Sequence, residues 1–167
     1  GGIAVADGPL TVNLPEKAGN GLFAACAGIV RYAIITLSGA QVEINGGDTG
    51  VLGEASVIIK DHSVLSITGT ASNGIYSEEG RVDIIDSTVT IHAAEGYGIR
   101  VNYFYSARGL CVYGRSVVEI LTNGSYAVTD SQPGYGDNSQ ASVIDLAAGG
   151  SVTVSSGKND DRAFCGY

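Results

Sequence analysis

Asn73-Gly-Ile-Tyr-Ser-Glu-Glu-Gly-Arg-Val-Asp-Ile-Ile-Asp-Ser-Thr-Val-Thr-Ile91 is the stretch of sequence that decides the fold. It holds three short elements: a small residue followed by an apolar one, and then two pairs of apolar residues that each flank one other residue. In order, these are Gly74-Ile75, Val82/Ile84 and Val89/Ile91. Such alternation is typical of a strand with one buried face. The stretch therefore predicts three consecutive strands.

The same three elements recur along the whole chain. The first recurs as Gly21-Leu22, Gly50-Val51, Gly74-Ile75, Gly98-Ile99, Ala127-Val128 and Ala163-Phe164. The second recurs as Ile35/Leu37, Val57/Ile59, Val82/Ile84, Leu110/Val112 and Ile144/Leu146. The third recurs as Val12/Leu14, Val42/Ile44, Leu65/Ile67, Val89/Ile91, Val118/Ile120 and Val152/Val154, with a Ser shortly before all but the first copy. A period of this length is the signature of a repeat architecture.

The spacing of the elements is constant at two corners and variable at the third. The third element precedes the next first element by 9 to 12 residues, and the second precedes the third by 7 or 8. Length variation therefore falls between the first and second elements. An antiparallel meander is the alternative, but it should show Asn-Gly or Asp-Gly turns between neighbouring runs, and here equivalent strands return only at every third element.

The sequence therefore predicts an all-β fold, a parallel β-solenoid of about five coils with three strands per coil, in one domain over residues 1–167. In this reading the chain starts in the third strand of one coil and ends in the first strand of another, without an obvious cap at either end. The absence of Met and the start at Gly1-Gly2 favour a processed part of a longer chain. Open ends also allow end-to-end self-association.

From about residue 10 to 167 the chain resembles right-handed parallel β-helix proteins of the pectate-lyase-like superfold. Within that superfold it is most similar to the Gly-rich repeat domains of bacterial secreted and surface proteins. The segment from Asn73 to Ile91 carries the resemblance. It implies a right-handed, single-stranded β-helix at the cell surface or outside the cell, and says little about activity, because such folds host lyases, hydrolases, adhesins and scaffolds.

Charge and hydropathy exclude several partner classes. The formal net charge is −8, with 17 acidic against 9 basic residues. Nucleic acids would require a basic stripe for phosphate contacts. No apolar run reaches the ~20 residues of a membrane-spanning helix. We therefore expect neither nucleic-acid binding nor membrane insertion.

Catalytic and metal-binding patterns are mostly missing. A glycoside hydrolase would place paired carboxylates beside the scissile bond, and the only Asp-Asp pair is Asp160-Asp161, in a polar segment typical of a solvated turn. Asp83 and Asp145 fall on the outward side of the second element. They are two coils apart, ~10 Å at ~4.8 Å per coil, which is too far to share one ion. We expect no catalytic residues, no metal and no cofactor.

Aromatic residues collect where the chain is longest, which favours a glycan-binding surface. Outward positions of the first element are Phe23, Leu52, Tyr76, Arg100, Thr129 and Cys165, and the inserted corner adds Tyr32, Tyr103, Phe104, Tyr105 and Tyr135. A sugar ring offers an apolar face to aromatic plates and hydroxyls to polar groups. The candidate ligand-binding residues are Phe23, Tyr32, Tyr76, Arg100, Tyr103, Phe104, Tyr105 and Tyr135.

Other interpretations stay open. The aromatic rings of the insertions could fold back and cover the side of the solenoid. The leading hypothesis is a non-catalytic, extracellular or cell-surface module that binds a glycan or polysaccharide, or mediates adhesion. A polysaccharide lyase or glycoside hydrolase with a degenerate site and a structural stalk or spacer are the alternatives.

The three cysteines, Cys26, Cys111 and Cys165, fall in the first, fourth and sixth repeats and are predicted to be free thiols. A disulfide needs Cα atoms within ~7 Å, less than two coils of rise. Alkylation of the denatured protein without reductant should therefore add three labels, as measured by intact mass. Addition of one label would reveal a disulfide and contradict the coil assignment.

Overall fold

The chain folds into β-strands, as seen in a computed structural model that describes residues 2–25, 33–93, 96–101, 109–123, 126–130, 144–146, 151–156 and 164–165. These ranges contain strands and no helix. The strands are β1 (Gly2–Ala24), β2 (Ile34–Gly53), β3 (Ser56–Lys60), β4 (Val64–Thr68), β5 (Asn73–Ser77), β6 (Val82–Ile85), β7 (Thr88–Ala93), β8 (Tyr97–Val101), β9 (Leu110–Tyr113), β10 (Val117–Thr122), β11 (Tyr126–Asp130), β12 (Ile144–Leu146), β13 (Ser151–Ser156) and β14 (Phe164–Cys165). The described residues accordingly offer no helix that is long and apolar enough to cross a membrane.

Every strand pair among the described residues is parallel, and the pairs form three ladders. β5, β8, β11 and β14 form the first ladder, β3, β6, β9 and β12 the second, and β4, β7, β10 and β13 the third. β2 is long enough to pair with β3, β4 and β5 in turn, and β1 pairs along most of β2. Each strand after β2 thus pairs with the strand three positions later in sequence.

The structure confirms the all-β class and the parallel pairing, and the antiparallel alternative is wrong. Together the strands form a parallel sheet curled into a half-barrel. The three longest connections, from β1 to β2, from β8 to β9 and from β11 to β12, all lead from the first ladder to the second. The prediction that length variation is concentrated at that corner is therefore also confirmed.

The start of the chain differs from the sequence prediction in two ways. Leu10 and Val12, not Val12 and Leu14, align with Val42 and Ile44, so the first copy of the third element begins two residues earlier. Ile3 and Val5 align with Ile35 and Leu37, so the chain begins in the second ladder rather than in the third. The physical reason is that Leu10, Val12 and Leu14 alternate in sequence, so alternation alone allows either register. The observed register pairs Asn13 with Asn45, and Asn45 Nδ2 donates a hydrogen bond to Asn13 Oδ1 at 3.0 Å. Alternation in the sequence runs past that point, but the register shifts after Asn13.

The core lies between the ladders and depends on a row of glycines. Its apolar side chains come from all three ladders, and Ile59, Ile67 and Ile75 are fully buried. Facing Ile67, a Cβ added at Gly50 would lie 2.7 Å from the isoleucine Cγ2 and 2.7 Å from the Gly74 carbonyl oxygen. The same relation repeats in three further pairs, Gly21 with Ile44, Gly74 with Ile91 and Gly98 with Ile120. In these four repeats glycine precedes the first apolar anchor because the third ladder approaches too closely for a side chain, whereas the next repeat has the small Ala127 at this position.

Buried serines hold the corner between the second and third ladders. Ser63, Ser87 and Ser116 are nearly inaccessible to solvent. The backbone N–H of Ser63 donates to Ser87 Oγ, and that of Ser87 donates to Ser116 Oγ, each at 3.2 Å. Each hydroxyl donates in turn to a backbone carbonyl oxygen of its own corner, such as that of Lys60 at 2.6 Å for Ser63. Buried backbone groups at the turn are thus satisfied by the Ser that the sequence places before each third element.

Replacing Gly74 with Ala tests the close approach of the ladders. The new Cβ would collide with Ile91 and with the Gly98 carbonyl oxygen, and overpacking of this kind typically costs ~1–3 kcal/mol. We expect Gly74→Ala to lower the free energy of unfolding by about that amount in urea titrations.

Gly8→Ala is the matched control, because nothing lies within 4 Å of a Cβ at that position. Its stability should stay within ~0.5 kcal/mol of the wild type or rise slightly, since Ala restricts the unfolded chain. Equal losses in both variants would contradict the packing argument.

Candidate functional site

One row of strand positions lies on the outer face of the first ladder, opposite the buried anchors Leu22, Val51 and Ile75. Consecutive pairing aligns Phe23, Leu52, Tyr76, Arg100, Thr129 and Cys165, as the sequence pattern predicts. We call these six positions the outer row. Phe23 is 51% exposed, and Leu52, Tyr76 and Arg100 are half-buried. The row therefore presents apolar and aromatic surface at one end and a cation further along.

Arg100 is fixed by two aromatic rings. Its guanidinium carbon lies 4.9 Å from the centroid of the Tyr76 ring and 5.3 Å from that of Tyr97. Both distances are within the range of a cation–π attraction. Arg100 Nε is buried and has no hydrogen-bond partner among the described residues. The Tyr76–Arg100–Tyr97 cluster thus holds a positive charge against π faces.

Sequence reasoning missed Tyr97. It lies at the start of β8, two residues before the buried Ile99, so strict alternation would assign it to the core face. Tyr97 is the first residue of the strand, directly after Gly96 with φ of 73°, and its ring contacts Arg100 although alternation assigns the two residues to opposite faces. The sequence signal that could have found Tyr97 is its spacing of three residues from Arg100 next to a turn glycine.

The structure brings only part of the predicted site together. Phe23, Tyr76 and Arg100 share the outer row. The other candidates, Tyr32, Tyr103, Phe104, Tyr105 and Tyr135, lie outside the described residues. Their role in binding stays a prediction from the sequence.

A second row, on the side of the second ladder opposite the core, is more buried than its sequence suggests. Thr36, Ile58, Asp83, Cys111 and Asp145 pair consecutively, in the predicted order. Asp83 is only 3% exposed and Cys111 is fully buried, so both faces of the second ladder are covered there. The expectation that Asp83 faces outward is correct for its side of the strand, but its carboxyl group is withdrawn from solvent.

Burial dominates the electrostatics of Asp83. Arg81 Nε donates a hydrogen bond to Asp83 Oδ2 at 2.7 Å, whereas Oδ1 has no partner within the described residues. Desolvation by burial raises the pKa of Asp83, and the charge and hydrogen bond of Arg81 with the hydrogen bond of Cys111 oppose that rise. Desolvation disfavours the charged form of any carboxyl group. Asp83 is therefore a structural carboxyl group that a substrate cannot reach from solvent.

The described residues contain no group of three or more His, Cys, Asp or Glu side chains that could hold a metal ion. Cys111 forms no disulfide, while the Cys26 residue and the Cys165 side chain lie outside the description. The chemistry that the geometry offers is therefore that of the outer row: ring faces for stacking, and guanidinium N–H groups for oxygen acceptors.

Comparisons of the chain with protein-family models, with curated proteins and with solved structures gave no match.

The raised pKa of Asp83 predicts how stability changes with pH. The native state holds the Asp83 proton more tightly than the unfolded chain, whose ordinary value is 3.8. Stability relative to Asp83→Asn should therefore fall as pH rises from about 3.8 through the native pKa, and then level off. Urea unfolding of both proteins across this window measures the difference.

Asp61→Asn provides a control of opposite sign. The hydrogen bond from Ser38 is the largest cause that lowers the pKa of Asp61, followed by that of Lys60. Wild-type stability relative to Asp61→Asn should accordingly rise as pH increases from the lowered native pKa to 3.8. A rise in the Asp83 comparison as well would mean that the contact with Arg81 outweighs burial.

Proposed function

We propose that the chain is a non-catalytic glycan-binding or adhesion module, extracellular or on the cell surface, built as a right-handed parallel β-helix of about five coils. The glycan binds along the outer row of the first ladder. The observation that carries the proposal is the alignment of an exposed Phe23 with the Tyr76–Arg100–Tyr97 cluster on consecutive strands.

The strand order supports the β-helical part of the proposal. Each strand after β2 pairs with the third strand that follows it, and the pairs are parallel throughout the described part of the chain. Windings of three strands produce this order when each winding stacks on the one before. The serine contacts at successive corners, at about the same height in each repeat, fit the same arrangement.

The outer row has the chemistry that sugar recognition requires. Aromatic rings stack on the apolar faces of sugars, and a few polar groups fix orientation. Backbone pairing holds the row rigidly, so little conformational entropy is lost when a ligand binds. Phe23 and Arg100 are three strands apart, ~14 Å at ~4.8 Å per strand. That length suits an oligosaccharide better than a single sugar.

The two alternative functions make different demands on the chain. A lyase or hydrolase needs an acid or base that reaches its substrate, and Asp83, whose pKa is raised by burial, is almost inaccessible. A spacer needs no exposed aromatic residue in line with a fixed cation. The outer row therefore favours binding over both.

Phe23→Ala should weaken retention of the best-bound glycan about tenfold, because it removes the most exposed ring of the row while leaving the core intact. Screening on an array of neutral and acidic glycans identifies the ligand, and affinity for that ligand is then measured for wild type and variant.

Leu121→Ala is the matched control, since Leu121 is also an exposed apolar residue, 44% accessible, but lies on the third ladder. It should bind as the wild type does. Reducing sugar or an unsaturated product released from the same glycans would instead establish an enzyme. An array without any bound glycan would leave the spacer function and refute the module proposed here.

A further inference from the structure

Arg100 differs from Lys60 and Arg81, which each form an ion pair within the described residues. Lys60 Nζ lies 3.1 Å from Asp61 Oδ2, and Arg81 Nε lies 2.7 Å from Asp83 Oδ2. Within the described residues, Arg100 has aromatic rings beside it and no carboxylate.

The two rings fix the position of the charge without using up its hydrogen-bonding capacity. A cation–π contact is an attraction to the ring quadrupole, so it supplies no oxygen acceptor to the five N–H donors of a guanidinium. Arg100 Nε is already buried without a hydrogen bond. Arg100 as a whole is only half-buried, and a planar guanidinium held between two rings is a group that binds carboxylate and other oxyanions in bidentate fashion.

We propose that Arg100 binds an anionic substituent, a carboxylate or a sulfate ester, on the glycan that lies along the outer row. This inference depends on the glycan-binding function proposed above and adds the chemical class of the ligand. Neutral, apolar sugar faces contact Phe23 and Leu52, and the acidic group sits at Arg100 on the Tyr76 and Tyr97 rings. Each end of the row thus recognises a different property of the same chain of sugars.

The negative net charge of the chain allows a local contact with an acidic glycan to be distinguished from general electrostatic attraction. At a net charge of −8, the long-range field of the chain repels polyanions. Retention of an acidic glycan must therefore come from a local contact and not from general electrostatic attraction. The contact should also be lost when that one cation is removed.

The test uses three forms of one polysaccharide, dextran, carboxymethyl-dextran and dextran sulfate, immobilised at equal density. We expect one or both charged forms to be retained at least tenfold more tightly than dextran, since hydrogen bonds between charged groups are among the strongest in proteins. Arg100→Gln should abolish this preference. Arg100→Lys should recover only part of it, because an ammonium cannot form the bidentate contact.

Arg115→Gln is the matched control, since it removes the same charge from an exposed turn position outside the outer row. It should keep the preference, and thermal unfolding followed by circular dichroism should show that all variants are folded. Preference for the carboxymethyl form identifies a carboxylate as the ligand group, and preference for the sulfated form identifies a sulfate ester.

Three results would overturn the inference. Equal retention of charged and neutral dextran, or a preference that survives Arg100→Gln, would refute the role of Arg100 and leave glycan binding itself intact. Failure to retain any of the three polymers would also refute it. The glycan-binding function fails as well only if the array in the preceding section shows no bound glycan.

Discussion

The close approach of the first and third ladders is the constraint on which the rest of the structure depends. At Gly50 the backbone lies so near Ile67 that a Cβ would be 2.7 Å from the isoleucine methyl group. Packing at this distance sets the thickness of the core, and it leaves no room for a Cβ at Gly21, Gly50, Gly74 and Gly98. Isoleucine fills the space from the opposite side, where its branched Cβ also suits a strand.

Once the ladders are this close, polar groups at the corners have to find partners inside the protein. Ser63, Ser87 and Ser116 meet that requirement by accepting from the backbone N–H of the preceding repeat and donating to a carbonyl oxygen. Backbone groups left unpaired there would cost ~1–3 kcal/mol each. The serines therefore fix the register of one repeat on the next, and with it the alignment of the residues on the outer face.

That register sets the order of the residues in the outer row. Phe23, Tyr76 and Arg100 are far apart in sequence but neighbours or near neighbours on consecutive strands. A surface built this way needs no loop to position its side chains, since the parallel backbone pairing does so. Residues on the outer face can accordingly differ from one repeat to the next, while the residues that face the core keep the same Gly, Val and Ile pattern.

The sequence by itself determined the three recurring elements, the parallel pairing of equivalent copies, and the alignment of the outer row and of the second row on the second ladder. These follow from period-2 alternation and from spacings that are nearly constant, and both are local properties of the chain. The error at Val12/Leu14 arose because the alternation of Leu10, Val12 and Leu14 continues one residue beyond Asn13, where the register shifts.

Only the tertiary structure decided how buried the outer positions are and which side chains meet. Asp83 and Cys111 are buried on the side of their strand that alternation marks as outward, where Arg81 pairs with Asp83. Tyr97 contacts Arg100 three residues further along β8, although alternation assigns the two residues to opposite faces of the strand. Alternation assigns a residue to a face, but burial and contact depend on what packs against that face, and such information is not local in sequence.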